Sequence, residues 1–244
     1  MLATNQLIIF TILALVAEVL GTIGGFGSSL FFVPVASYFL DFHSVLGITA
    51  LFHVMSNLTK IGMFRKGYDK NLMYSMGIPA VVCVVGGAVA SKYLPSNYLE
   101  IILASLLIFL SIMLLLFRDV EVKPTTANSF GGGVLSGFMA GMVGTGGAIR
   151  GVVMAAFNLP KEIFIATSAV IDLAIDASRS IVYASQGYVH THDLYLLPIL
   201  LVVTLAGTYL GKLILNYVSN KQFKTFVLFL VLITGIVTLY KVLA

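Results

Sequence analysis

The chain has 244 residues, of which 59% are hydrophobic and 10% are charged, and its formal net charge is +4. Soluble domains carry about 25% charged residues, so this composition excludes an ordinary soluble protein and predicts an all-α, polytopic membrane protein. The positive charge does not indicate nucleic-acid binding, because the basic residues lie in short loops between apolar runs, as topology signals do. The single cysteine, Cys83, excludes an intramolecular disulfide and a cysteine-rich metal site, and we expect no metal and no other cofactor.

Eight apolar runs follow one another along the chain, and the longest exceed what one membrane crossing needs. The first run lacks the basic n-region and the cleavage site of a secretory signal, so we expect it to be retained. One polar stretch, at 118–128, is predicted to be a cytoplasmic linker between two transmembrane repeats at 1–117 and 129–244. The apolar runs span residues 7–40, 44–63, 72–93, 98–117, 129–158, 162–184, 193–215 and 222–243.

Glycine-rich stretches interrupt two of these runs at matching places: GTIGGFGSSLFFVP at 21–34 and GMVGTGGAIRGVVM at 141–154. A helix that breaks inside the membrane presents free N–H groups and the positive end of its dipole, which favours an anion. Close helix packing through small residues at four-residue spacing, as from Gly132 to Gly144, is the alternative. We favour helix breaks, because consecutive glycines exceed what a packing seam requires. The predicted anion-binding residues are Gly24, Gly25, Gly27, Ser28, Ser29, Gly144, Thr145, Gly146, Gly147 and Arg150.

The two halves also resemble each other residue by residue, which indicates an internal duplication. Gly21 aligns with Gly141 and Gly24 with Gly144, and equivalent positions lie 119 or 120 residues apart. Each break is followed by a predicted helix whose polar residues are spaced so that four side chains share one helical face. These pore or coupling candidates are Thr49, His53, Asn57 and Lys60 in the first half and Ser168, Asp172, Asp176 and Arg179 in the second.

The glycine-broken segments set the predicted topology. As one straight helix the segment at 7–40 would be about 51 Å long, whereas the hydrocarbon core is about 30 Å thick, so it forms one broken crossing or a hairpin of two short half-helices. If both segments are hairpins, ten basic residues lie on one face of the membrane and two, Lys92 and Lys241, lie on the other. If both are single crossings, the same twelve residues divide seven to five. The positive-inside rule favours hairpins with both termini outside, and three further crossings per half then make two inverted repeats, as in secondary transporters. The predicted cytoplasmic loops are 64–71, 118–128 and 216–221.

Charged side chains inside membrane segments are costly, so each needs a partner or a function. Arg150 either contacts the anion directly or pairs with Asp172 or Asp176. The two aspartates either carry a coupling proton or balance nearby arginines, and we favour ion pairs because neighbouring carboxylates repel each other. Lys60 and Arg179 lie nearer the membrane faces, where a snorkelling anchor is the default for a long basic side chain.

Two other polar residues leave the function class open. His53 is expected to be a packed hydrogen-bonding residue rather than a proton carrier, and Glu18 has no evident partner. Ser28 with His53 as its base suggests an intramembrane hydrolase. The duplication argues against this function, because the second half has Ala148 and Asp172 at the equivalent positions. A passive anion channel is the closer alternative to a transporter, because half-helices in inverted repeats also build pores.

The breaks GTIGGFGSSLFFVP and GTGGAIRGVV, with the later helices LGITALFHVMSN and FIATSAVIDLAI, resemble the TauE/SafE family of sulfite and organosulfonate transporters over nearly the whole chain. Two features depart from the family pattern: Ser28 and Ser29 replace a clustered glycine, and Arg150 is present where a proline equivalent to Pro34 is missing. The resemblance implies a transporter, not an enzyme, that moves sulfite, thiosulfate or an organosulfonate by alternating access across the cytoplasmic membrane of a prokaryote. It leaves open a coupling proton and the oligomeric state.

Overall fold

The computed structural model describes residues 2–25, 27–116, 122–215, 217 and 220–243. Every regular element in these ranges is helical, which confirms the all-α prediction, and five helices are long and apolar enough to cross a membrane. The described residues form ten α-helices: α1 (Thr4–Gly24), α2 (Ser29–Ala36), α3 (Phe42–Met63), α4 (Lys70–Ser91, with a π-helical turn at Met73–Gly77), α5 (Ser96–Leu116), α6 (Thr126–Val143), α7 (Gly147–Ala155), α8 (Lys161–Ser185), α9 (Leu196–Leu215) and α10 (Asn220–Leu243).

Polar caps begin several of these helices. The Asp41 carboxylate accepts from the backbone N–H of His43 at 3.0 Å at the start of α3. Asp69 accepts from Leu72 N–H at 2.9 Å at the start of α4, and Thr125 caps α6 in the same way. Each cap satisfies an N–H group that has no partner within its own helix, so the polar residues between apolar runs determine where the helices start.

Glycines in the left-handed conformation end α1 and α6. Gly25 has φ 67° and Gly144 has φ 82°, a region that residues with a side chain adopt only at a cost. After each turn the chain runs back along the helix it has just left: the rings of Phe10 and Phe32 lie 5.7 Å apart, and a Cβ at Gly132 would lie 2.8 Å from the Val153 side chain. These contacts confirm the predicted helix breaks and the predicted hairpins.

The two limbs of each hairpin are unequal, and in this the prediction of two short half-helices is wrong. The first limbs, α1 and α6, have 21 and 18 residues and are about 31 and 27 Å long, close to the thickness of the hydrocarbon core. The returning limbs, α2 and α7, have only 8 and 9 residues. The glycine turn therefore follows a full-length first limb, and α6 stays helical through the glycines at 131–133, 137 and 141.

Small residues hold these hairpins against their neighbours on two sides. A Cβ at Gly133, Gly137 or Gly141 would collide with backbone atoms of α4, so this stripe lets α6 and α4 approach closely. The small residues predicted to pack, which begin at Gly132 and lie one position before this stripe, face α7 instead, where Gly132 packs on Val153. Small-residue packing and helix breaks therefore coexist in the same segment.

Helices α3 and α8 pack against each other, and α4, α6, α1 and α9 surround them. The close pairs are α1–α9, α4–α6 and α5–α10, with further contacts between α3 and α9, between α4 and α8, and between α2 and α7. This arrangement places the two polar stripes of α3 and α8 in the interior.

Loop contacts separate two ends of the molecule. Ser96 Oγ donates to Asp41 Oδ1 at 3.2 Å at one end, whereas Lys66 pairs with Glu162 at 2.9 Å at the other. The predicted cytoplasmic loop at 64–71 therefore lies at the second of these ends. Parts of the other two predicted loops, residues 118–121, 216 and 218–219, lie outside the described residues.

Candidate functional site

The polar faces of α3 and α8 meet in the interior. Asn57 Nδ2 donates to Asp176 Oδ2 at 2.8 Å, and His53 Nδ1 lies 3.9 Å from the same oxygen. All three residues are buried. Because these residues come from equivalent stripes 119 positions apart, the shared spacing found in the sequence corresponds to a contact between the two helices.

Glu18 on α1 is fully buried and is surrounded by donors. Its Oε1 accepts from Ser56 Oγ at 2.6 Å and from Thr208 Oγ1 at 3.1 Å, and it pairs with Lys60 Nζ at 2.9 Å. Its Oε2 accepts from Ser28 Oγ at 2.6 Å. The sequence left the role of Glu18 open and did not single out Ser56, although Ser56 lies one helical turn before Lys60.

Lys60 and Arg179 are each buried in an ion pair, Lys60 with Glu18 and Arg179 with Asp176, so the prediction of snorkelling anchors is wrong for both. They are 5% and 1% exposed. Arg179 Nε donates to Asp176 Oδ1 at 2.8 Å, and its Nη1 donates to the backbone oxygens of Ala140 and Gly144 at 2.9 Å each. The Ala140 oxygen also accepts from the Gly144 N–H at 3.1 Å, and Gly144 is the residue that caps α6, so Arg179 holds both ends of the second glycine turn.

Arg150 pairs with Asp172, which is one of the two alternatives that the sequence left open for it. Its Nη2 donates to Asp172 Oδ2 and to Ser168 Oγ, the latter at 3.2 Å, and Ser168 Oγ in turn donates to the backbone oxygen of Gly25 at 3.2 Å. Arg150 is 1% exposed, and its Nε has no acceptor among the described residues. A buried donor without an acceptor is rare and calls for an explanation.

A small polar cavity, with room for about one water molecule, lies between the first glycine turn, α3 and α8. The residues that line it come from three predicted groups: the first glycine break, the polar face of α3 and the polar face of α8. Asp172 is the carboxylate in its wall, and its side chain is 15% exposed. The lining residues are Gly21, Gly25, Gly27, Asn57, Lys60, Ile165, Ser168, Ala169 and Asp172.

The second break touches the first but does not line this cavity. Ser29 Oγ donates to Thr145 Oγ1 at 3.2 Å and so joins the two turns. Thr145 and Gly146 instead lie near Leu106 on α5, at an apolar gap too small for a water molecule. The predicted residues outside the polar cavity are Gly24, Ser28, Ser29, Thr49, His53, Gly144, Thr145, Gly146, Gly147, Arg150, Asp176 and Arg179.

Ser28, His53 and Asp176 follow one another in the order of a catalytic triad. Ser28 Oγ lies 3.1 Å from His53 Nε2, and His53 Nδ1 lies 3.9 Å from Asp176 Oδ2. Ser28 donates its one hydroxyl proton to Glu18 at 2.6 Å, so its oxygen accepts from His53 Nε2–H. His53 in this tautomer has no lone pair at Nε2 with which to activate Ser28. The three residues instead extend a buried hydrogen-bonded network from Glu18 toward Asp176.

Comparison with known proteins agrees with the resemblance seen in the motifs. The family model described as sulfite exporter TauE/SafE matches residues 10–238. The chain is 24% identical over 251 residues to the probable membrane transporter protein YdhB of Bacillus subtilis (strain 168), and the alignment covers 96% of this chain and 100% of that protein. No solved structure matches the chain. The family match includes both glycine turns and every residue that lines the polar cavity.

Proposed function

The chain belongs to the sulfite exporter TauE/SafE family and is a membrane transporter, and from this premise we propose that it carries a small sulfur-containing oxyanion, of the sulfite, thiosulfate or organosulfonate class, by alternating access. The proposed location is the cytoplasmic membrane of a prokaryote. The observation that carries the proposal is the polar cavity at the first glycine turn. Its wall contains the Lys60 ammonium and the Asn57 amide, whose contacts with Glu18, Ser56 and Asp176 leave each of them one further proton to donate to a sulfur-bound oxygen.

The glycine turn brings backbone donors close to this wall. The Phe31 and Phe32 N–H groups of α2 donate to the Ser28 oxygen, whereas the Ser29 and Leu30 N–H groups before them have no acceptor within the helix. Gly27 lines the cavity just before these groups. The cavity is small: the centre of a water-sized sphere can occupy about 10 Å³ of it, which is room for about one water molecule, so an oxyanion enters only as the turn and the side chains around it move apart.

The charges around the cavity are balanced before an anion enters. Three cations and three carboxylates form the pairs Lys60–Glu18, Arg150–Asp172 and Arg179–Asp176. An added anion leaves an excess negative charge in a region of low dielectric, which is strongly unfavourable. Uptake of a proton by one carboxylate together with the anion restores the balance, and proton-coupled transport follows from this arrangement.

Asp172 is the carboxylate placed to take up that proton. It lines the cavity and its side chain is 15% exposed, whereas the side chains of Glu18 and Asp176 are 0% and 4% exposed. Protonation of Asp172 weakens its pair with Arg150. The freed Nη2 and the unpaired Nε of Arg150 are then available as a two-pronged donor for the oxyanion.

The packing of the helices supports two inverted repeats, which alternating access requires. If each helix of the first half is exchanged with the helix five places later, the α1–α9 contact becomes α4–α6 and the α3–α9 contact becomes α4–α8. The α2–α7, α3–α8 and α5–α10 contacts map onto themselves. This is the contact pattern of a pseudo-twofold axis that passes between α3 and α8, beside the proposed anion site.

The test is transport by the purified protein in proteoliposomes. Radiolabelled sulfite, thiosulfate and a small sulfonate are each presented with and without an imposed pH gradient, and sulfate and chloride serve as comparison anions. We expect at least one of the three sulfur anions to accumulate against its own gradient when protons are supplied, and an uncoupler to abolish the accumulation. Flux that only follows the anion gradient at every pH would support a channel instead. Folded protein that moves none of the three anions would refute the proposed substrate class.

A further inference from the structure

The loop between α8 and α9 carries a group of metal-ligand side chains far from the polar cavity. His190 precedes a short 3₁₀ turn at Thr191–Asp193, and His192 and Asp193 lie within it. Three residues make one turn of a 3₁₀ helix, so His190 and Asp193 fall on the same side of it. Sequence analysis did not identify this group, because the histidines lie in a loop and only the turn geometry brings them together with the aspartate.

The spacing of the ligand atoms suits one divalent transition metal ion. His192 Nε2 lies 3.4 Å from Asp193 Oδ1, His190 Nδ1 lies 3.7 Å from Asp193 Oδ2, and the three ligand atoms all lie within 4.8 Å of one another. Bonds of about 2.0 to 2.2 Å in a tetrahedral shell place neighbouring ligands about 3.4 Å apart. The histidine rings are already stacked at 5.2 Å, so little rearrangement is needed.

Asp193 provides an independent indication that a cation belongs here. The residue is 4% exposed, and its Oδ2 is buried without a hydrogen-bond partner in the described part of the chain. A buried carboxylate oxygen without a donor is costly. Oδ2 faces the His190 imidazole, and the other oxygen of the same carboxylate, Oδ1, faces the His192 imidazole. A metal ion between these side chains would satisfy Oδ2.

We propose that His190, His192 and Asp193 bind a divalent transition metal ion of the Zn²⁺ type. Two imidazole nitrogens and one carboxylate oxygen are a ligand set that Zn²⁺ accepts, with water completing the shell. His190 and His192 side chains are 41% and 65% exposed, so the ion reaches them from solvent. In the absence of metal, Ser44 Oγ on α3 lies 2.7 Å from His190 Nδ1, and the metal replaces this contact.

Metal binding is measured on the full-length protein in detergent, purified through a tag without histidine and treated with a chelator. Zn²⁺ is titrated by calorimetry, and Co²⁺ is followed by its visible absorption, which reports nitrogen ligands and low coordination number. The variants are His192→Ala and Asp193→Asn. The matched control is His43→Ala, a histidine of the same end of the molecule that contacts Ser96 and the Tyr188 ring instead.

We expect one Zn²⁺ per chain for the wild type and for His43→Ala, and an affinity at least about tenfold lower for the two ligand variants. His192 is largely exposed, so its variant decides the question even if Asp193→Asn does not fold. Absence of binding at one equivalent, or equal affinity in all four proteins, would overturn the proposal. Neither result bears on anion transport, because no transport measurement enters the test.

Discussion

At the scale of single residues, Asp172 and Asp176 show how one helical turn separates two roles. Both lie on the same face of α8, and both are paired with arginine. Asp172 opens onto the polar cavity, whereas Asp176 is enclosed by Arg179, Asn57 and His53. We therefore assign the coupling proton to Asp172 and treat Asp176 as a structural partner.

Asparagine substitutions distinguish these assignments. Asp172→Asn cannot release or take up a proton, so we expect it to lose proton-driven accumulation while it retains exchange of labelled for unlabelled anion. Asp176→Asn leaves the buried Arg179 without a charge partner, so we expect it to lower the free energy of unfolding by about 3 to 5 kcal/mol. Transport and unfolding are measured side by side on both variants. Wild-type accumulation in Asp172→Asn would show that another group carries the proton.

Glu18 gives a second prediction at this scale. Glu18→Gln removes the charge that balances Lys60 and replaces an acceptor of four contacts, so we expect a loss of about 3 to 5 kcal/mol in the free energy of unfolding. Glu162→Gln is the matched control: its partner Lys66 is 71% exposed, and such a surface pair contributes less than about 1 kcal/mol. Reversible unfolding in mixed micelles compares the two. Equal losses would mean that the burial of Glu18 does not matter.

Sequence reasoning found most of the charged residues of the site and named Asp172 as one of two candidate partners of Arg150, but it did not find the partners of Lys60 and Glu18. The spacing of His53, Asn57 and Lys60 is local, so it can be read along the chain. The partners of Lys60 and Glu18 are on different helices, and Thr208 lies 190 positions from Glu18. Snorkelling was predicted for Lys60 because it lies nearer a membrane face than the polar residues that precede it on its helix. Only tertiary packing brings the Glu18 carboxylate to it.

At the scale of elements, the glycine turns have backbone conformations that favour glycine and little space for a side chain. Gly25 has φ 67°, and its Cβ would lie 2.7 Å from the Phe164 ring. A Cβ at Gly146 would collide with the backbone oxygen of Ser136. Large side chains at these two positions therefore disturb the hairpins themselves. The sequence predicted the turns, because glycine pairs act locally, but not the length of the limbs or which turn faces the polar cavity.

Gly27 is the turn residue with room for a side chain. A Cβ there would lie 3.8 Å from Asp172 Oδ2, inside the polar cavity, although φ is 81°. Asparagine tolerates the left-handed region better than other residues with a side chain, so Gly27→Asn should cost about 1 kcal/mol in the free energy of unfolding. We expect it to block anion transport by filling the cavity.

The control for Gly27→Asn is Gly62→Ala on α3, where a Cβ meets nothing within 4 Å. It should preserve transport, and it should not destabilise the helix because alanine favours helices more than glycine does. Transport by Gly27→Asn at the wild-type rate, in protein that is folded by thermal unfolding, would remove the first glycine turn from the proposed anion path.

At the scale of the whole molecule, the two ends carry different charge. Lys92 and Lys241 are the basic residues predicted for the end that contains both termini, and Lys241 Nζ donates there to the backbone oxygen of Ser37 at 2.6 Å. At the other end Lys212 Nζ donates to the backbone oxygen of Met63 at 2.6 Å. Because Lys60 is buried, it no longer counts toward either membrane face, and the distribution of basic residues between the two faces changes from ten against two to nine against two. The asymmetry, and the predicted orientation with it, stays.

Cysteine accessibility tests that orientation in intact cells. Starting from a Cys83→Ser background, we expect Tyr93→Cys to react with a membrane-impermeant maleimide from outside, because Tyr93 is 77% exposed and lies in the turn beside Ser96. Lys66→Cys, at the end that carries most of the positive charge, should react only after the cells are permeabilised. Both positions are exposed, so a difference in labelling reports the side of the membrane and not burial. The opposite labelling pattern would reverse the orientation but leave the hairpins intact, whereas labelling of both positions from outside would contradict a chain that crosses the membrane between them.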